Sequence, residues 1–232
     1  MSGWVLGTAE RIRHTHGLAT VALDTRYHGK SDNRAPTFGA AEAWDLQAAM
    51  NWAESNGYPK PYILCGHSLG ALAAKRTAIT DARVCAAFLQ SPPGWPWDAI
   101  GVTLQVGAMA GNLIPAAYDD GRILLDGHIR QHPATPAHAP LICYAMGDRD
   151  HYGIEKTKLA YRHWYQGQRG DFERWPGVNP EDRTWFITLA EADHIFGLHT
   201  HPHLGDLLDA FLNRVLDTPG QVRSEAAPAG PP

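Results

Sequence analysis

Three widely separated stretches of the chain carry residue types suited to acyl transfer. The first is Gly66-His67-Ser68-Leu69-Gly70, which follows the apolar run Tyr62-Ile63-Leu64-Cys65 and leads into Ala71-Leu72-Ala73-Ala74. Strand, sharp turn and helix are the setting a nucleophilic serine requires, because the turn lifts the hydroxyl clear of the sheet. This pattern predicts strained backbone angles at Ser68. It also predicts that Gly66, Gly70 and Ala71 are small because strand and helix pass close together there. The backbone N–H of Leu69, at the positive end of the following helix, would face the oxygen of an attacked carbonyl.

A serine hydroxyl near neutral pH needs a base, and the base needs a carboxylate to orient it. In alternating α/β chains such groups gather in loops at the carboxyl ends of strands. Leu141-Ile142-Cys143-Tyr144-Ala145 is followed by Asp148 and Asp150, and the run Thr184 to Leu189 by Asp193 and His194. These stretches offer His194 as the base and either Asp150 or Asp148 as the acid. Read as plain structure, the two aspartates stabilise the turn after a strand, and His194 is one of 13 histidines. Asp193 braces its own loop or is solvated. His67, beside Ser68, and Trp95 and Trp97, in the Pro-rich turn after Gln90, are candidate walls of an acyl pocket. The two tryptophans equally suit filling space under a short cap. His199-Thr200-His201-Pro202-His203 has metal-like spacing, but its proline and the lack of a carboxylate cluster favour a solvated helix start. Neither a metal nor a cofactor is expected, and loops of the Gly-x-Gly-x-x-Gly or Walker type are absent from the sequence.

The elements that must position these residues follow from hydrophobic spacing. A helix is expected over Gly3–His16, stopped by Gly17, then a short buried strand over Leu18–Leu23 ending at Asp24. Helical spacing returns from Ala40 to Ser55 through Trp44, Ala48 and Trp52. After the strand and helix around Ser68 come strands at Val84–Leu89, Leu141–Ala145 and Thr184–Leu189, with helices at Ile154–Gln166 and Leu204–Leu216. Strands alternating with helices predict an α/β fold, a mostly parallel sheet with helices on both faces. Residues 1–217 read as a single domain, with 91–139 as a short cap or connection. The Pro/Ala/Gly-rich residues 218–232 read as a disordered tail.

With 232 residues, 44% hydrophobic, and a net charge of −4, the chain has material for one sizeable core. It shows no basic stripe for nucleic acid and no polybasic membrane patch. No apolar run approaches the roughly 20 residues of a membrane-spanning helix. Met1 to Glu10 has no secretory pattern. Cys65, Cys85 and Cys143 all fall in apolar strand candidates, which suggests buried free thiols and a reducing, cytoplasmic setting.

In the order Ser68, Asp150, His194 the chain resembles the α/β-hydrolase superfamily, near its esterase and serine-aminopeptidase-like branches. The likeness is carried by the Asp24-Thr25-Arg26-Tyr27-His28-Gly29-Lys30-Ser31 loop, the pentapeptide around Ser68, Gly147-Asp148-Arg149-Asp150 and Ala192-Asp193-His194-Ile195-Phe196. The resemblance implies Ser68 as nucleophile, His194 as base and Asp150, the last residue of a Gly-x-x-Asp pattern, as acid. It implies a small or medium ester or other acyl compound as substrate. Peptidase, thioesterase and cofactor-free haloperoxidase chemistry are the alternatives on the same residues, and a silent binding module is the alternative from another class. One departure stands out. Family members have a strand ending in a His-Gly loop before the first helix, and that loop supplies a second oxyanion donor. Here the chain opens at Met1-Ser2-Gly3-Trp4, so an amino-terminal truncation is expected, with Trp4-Val5-Leu6 as a weaker candidate for a stub of that strand. Tyr27 also stands where the family loop has a glycine.

Overall fold

The structure, a computed structural model, describes residues 3–26, 28–32, 39, 41–92, 139–150, 177, 179, 182–195 and 201–218. Helix α1 spans Gly3–His16 and α2 spans Glu42–Ser55. Strand β1 (Tyr62–His67) turns into α3 (Leu69–Thr80), followed by β2 (Val84–Gln90), β3 (Leu141–Gly147), β4 (Thr184–Leu189) and α4 (Pro202–Asp217). The four strands form one sheet in the order β1-β2-β3-β4, parallel at every pairing. Parallel strands need both faces covered. Every residue of β2 and β3 is buried, as that requires.

Two apolar layers flank the sheet. On one face Phe88, Cys143 and Ala145 pack with Ile12 of α1 and with Leu204, Leu208, Phe211 and Val215 of α4. On the other, Leu89, Ile142 and Tyr144 pack with Met50 of α2 and with Ala71, Ala74 and Ala78 of α3. The alanine-rich face of α3 lets that helix lie close against the strands. Arg11 and His16 of α1 both reach Asp209 of α4, at 2.7 and 3.0 Å, pinning the two helices together.

The structure departs from the expected elements in three places. Leu18–Leu23 is not a strand: it runs without ladder pairing, with Ala19, Thr20 and Val21 exposed, Val21 to 51%. A run of apolar residues becomes a strand only where a neighbour takes up its backbone groups. Among the described residues no strand pairs with the outer edge of β1, so nothing supplies that neighbour. Trp4–Leu6 lies inside α1, which removes it as a strand stub. In α2 the buried positions are Glu42, Ala43, Met50 and Ala53, whereas Trp44 and Trp52 point outward, Trp52 with 52% exposure. Met50, with Leu46 beside it, packs against the alanines of α3 there, and the two tryptophans are left on the outside.

Cys85 and Cys143 are buried, as expected of strand thiols, and Cys65 is exposed on β1. The expected helix Ile154–Gln166, most of the cap region 91–139 and the tail beyond Thr218 lie outside the described residues. Among the described residues no helix is long and apolar enough to cross a membrane.

Candidate active site

Parallel pairing sends the carboxyl ends of all four strands to one rim. The register row His67, Gln90, Ala145, Ile187 marks its level, and β3 and β4 extend two residues beyond it. Ser68 follows β1 directly with φ 52° and ψ −118°, the left-handed backbone expected of a sharp strand-to-helix turn. Its N–H donates to the Gln90 carbonyl (2.9 Å), and its own carbonyl accepts from Ala71 (2.9 Å) and Leu72 (3.2 Å). A side chain at Gly66 would run into the backbone of Gly70 and Ala71, which is why position 66 is glycine. Gly70 itself has open space where a Cβ would stand, so the crossing does not require glycine there. Leu69 is the first residue of α3, and first-turn amides have no acceptor within their own helix.

The loops after β3 and β4 are stitched together. Asp148 N–H donates to Leu189 O (3.0 Å) and Arg149 N–H to Ala192 O (2.8 Å). A side chain on Gly147 would collide with the carbonyl oxygen of Ala192, so the close approach of the two loops requires a glycine. Glu191 takes φ 62° to make the turn, a strained position that hydrophobic patterning does not reveal. Across the outside, Arg149 and Glu191 form an exposed ion pair at 2.5 Å, a contact of little energetic weight in water.

Within this frame the structure brings Ser68, His194 and Asp150 into one hydrogen-bonded chain. Ser68 Oγ lies 2.9 Å from His194 Nε2, and His194 Nδ1 lies 3.0 Å from each carboxylate oxygen of Asp150. With Nδ1–H donating to the carboxylate, Nε2 is left to accept from the serine hydroxyl. Asp150 is 1% exposed, so this contact is shielded from water. Asp148, the competing acid, is exposed. Asp193 accepts from the Ile195 N–H (3.1 Å), bracing the loop that carries His194.

The side chain of His67, the candidate pocket wall beside Ser68, reaches the loop that carries His194. Its Nε2 lies 2.8 Å from the carbonyl oxygen of His194, and the two rings sit 5.2 Å apart. Burial pushes His67 below the usual histidine range, against the pull of that carbonyl. The spacing of Gly-His-Ser gives no hint of this bond, because its partner lies 127 residues away. Trp95 and Trp97 lie outside the described residues. His201 caps α4, accepting from His203 N–H (3.3 Å), and its other nitrogen meets Ala190 O at 3.0 Å. No cluster of three metal-ligating side chains occurs among the described residues. The loop from Asp24 is held by a paired contact of Arg26 with Asp45 (2.7 and 3.0 Å) and by Ser31 Oγ on Asp24 O (2.6 Å).

The family model described as Serine aminopeptidase, S33 matches residues 2–139. That span holds Ser68 and stops short of Asp150 and His194. No curated protein matches the chain. Among solved structures, the esterase Pf2001 of Pyrococcus furiosus superposes with a TM-score of 0.62 at 19% identity, over 92% of this chain and 77% of that one. An α/β serine hydrolase without lid from Xanthomonas campestris gives 0.58 at 18% identity, over 90% and 72%. Est1E of Butyrivibrio proteoclasticus, solved with ferulic acid bound, gives 0.59 at 13% identity, over 94% and 84%. At these identities the likeness is one of fold.

Proposed function

The chain belongs to the serine aminopeptidase S33 family of α/β hydrolases, and from that premise we propose that it is a serine hydrolase of small or medium carboxylic esters. The observation that carries this reading is the uninterrupted chain of hydrogen bonds from Asp150 through His194 to Ser68.

In this mechanism Ser68 Oγ attacks the ester carbonyl carbon while His194 Nε2 takes the hydroxyl proton. Asp150 holds the imidazole in the tautomer that leaves Nε2 free, and stabilises the imidazolium that forms. The Leu69 N–H donates to the oxyanion, at the positive end of α3. The imidazolium returns its proton to the departing alkoxide. A water molecule, deprotonated by His194, then releases the acid from Ser68. These steps call on no metal or cofactor. Three free cysteines suit a reducing compartment such as the cytoplasm.

The family description itself favours a second reading, cleavage of an amino-terminal residue from a peptide by the same groups. Short-chain p-nitrophenyl esters and aminoacyl p-nitroanilides, offered separately to the purified protein and to Ser68→Ala, distinguish the two. Ester turnover abolished by the substitution supports the esterase. Turnover of the anilides alone moves the assignment to a peptidase, and turnover that survives in Ser68→Ala ends both.

A further inference from the structure

The loop that carries His194 is fastened from two sides. From the acid side it is held by the Arg149 N–H on Ala192 O, with the Asp193 brace within the loop itself. From the serine side comes the bond between His67 Nε2 and the His194 carbonyl. A backbone carbonyl can only accept, so the His67 ring carries a proton on Nε2. We propose that His67 is a positioning residue, whose side chain locks the backbone of His194 so that the imidazole stays in line with the hydroxyl of Ser68.

The geometry favours this role. His67 and Ser68 are consecutive, so any shift of the β1 end moves the serine and the anchor of the histidine loop together. The pinned carbonyl belongs to His194 itself, so the bond restrains the backbone from which the imidazole projects. The ring of His67 is partly buried against that of His194 at an interplanar angle of 52°, which leaves it little freedom to swing away. Burial is the largest influence on the His67 ring and lowers its pKa, with the nearby His194 ring acting in the same direction and the bond to the His194 carbonyl and Asp150 acting against it. The net direction favours the neutral ring, which has one N–H to donate.

The inference rests on the Ser68, His194 and Asp150 reading, and its test separates the two. Steady-state ester kinetics are measured for wild type, His67→Leu and His67→Gln. Rates are normalised to the number of serines titrated to completion with a fluorophosphonate, so that misfolded molecules drop out. Leucine removes the donor, whereas glutamine keeps an N–H at comparable reach. The expected result for His67→Leu is a fall in kcat of roughly 10- to 100-fold, the scale of a misplacement of about 1 Å, with KM held within about twofold. Serine labelling should slow by the same factor, and His67→Gln should recover most of kcat. The proposal is overturned by wild-type kcat in His67→Leu, by a loss confined to KM, or by a glutamine variant as slow as the leucine one. A wild-type protein that never labels at Ser68 is a different outcome: it removes the proposed mechanism itself, and with it the basis for a positioning role.

Discussion

The rim formed after β1, β3 and β4 and the outer edge of β1 border the same sheet, yet they are built in opposite ways. At the rim, each loop is held by named bonds to another: Ser68 to β2, the β3 loop to the β4 loop, and His67 to His194. Along the β1 edge, five of six residues are incompletely buried and Cys65 is exposed, and among the described residues no strand, residues 18–23 included, joins the ladder there. An unpaired edge presents a row of open N–H and C=O groups and is a template for association. The difference teaches that the candidate chemistry draws on residues 66–69, 147–150 and 191–195, and not on the segment where strand formation fails. Substitutions in the rim loops and on the β1 edge therefore report on different parts of the sheet.

The largest effect is expected at the rim. Asp150→Asn leaves the fold intact but offers His194 an amide in place of a carboxylate, favouring the wrong tautomer. In triads of this kind the cost is about 10⁴ in kcat, and ester turnover with KM and circular dichroism checks it. Asp148→Asn, at the exposed competitor, should leave kcat within about twofold of wild type. If the two substitutions exchange their effects, the assignment of the acid is wrong.

A smaller loss should follow from Gly147→Ala. The added methyl forces apart the β3 and β4 loops at Ala192, so kcat should fall by about 10²-fold through misplacement and stability by roughly 1–3 kcal/mol through overpacking. Turnover and urea midpoints measure the two separately. An unchanged kcat would show that the rim tolerates loosening and would weaken the contrast with the edge.

The edge should yield the smallest effect, in reactivity alone. Burial pushes the thiols of Cys85 and Cys143 up to about 12. Enough protein surrounds Cys65 to raise its thiol to about 12 as well, although solvent reaches it. With similar acidity, access alone separates the three. Maleimide should modify Cys65 in the native protein and all three cysteines in urea, read by intact mass and peptide mapping. Protection of Cys65 in native protein would mean that the β1 edge is covered.

The sequence makes legible what depends on local chemistry. Gly17, at φ 66°, accounts for the end of α1 at His16. The small residues around Ser68 foreshadow the tight turn, and the strand ends announce where carboxylates and imidazole gather. What spacing cannot decide is set by partners distant along the chain. Leu18–Leu23 has strand composition but, among the described residues, no strand to pair with. Trp44 and Trp52 repeat at helical spacing, yet Met50 and Leu46 are the residues by which α2 meets the core. Whether Asp148 or Asp150 meets the imidazole depends on how the loop turns after Gly147. The bond of His67 to the His194 carbonyl is invisible until β1 and β4 are placed in one sheet.

The most direct test of the central claim is the rate and site of fluorophosphonate labelling in the intact protein. If the hydrogen-bonded chain activates the serine, the probe attaches at Ser68 and no other residue, and His194→Ala slows attachment by at least about 10³-fold. A label on another residue, or a rate at Ser68 unchanged by loss of the imidazole, would contradict the account.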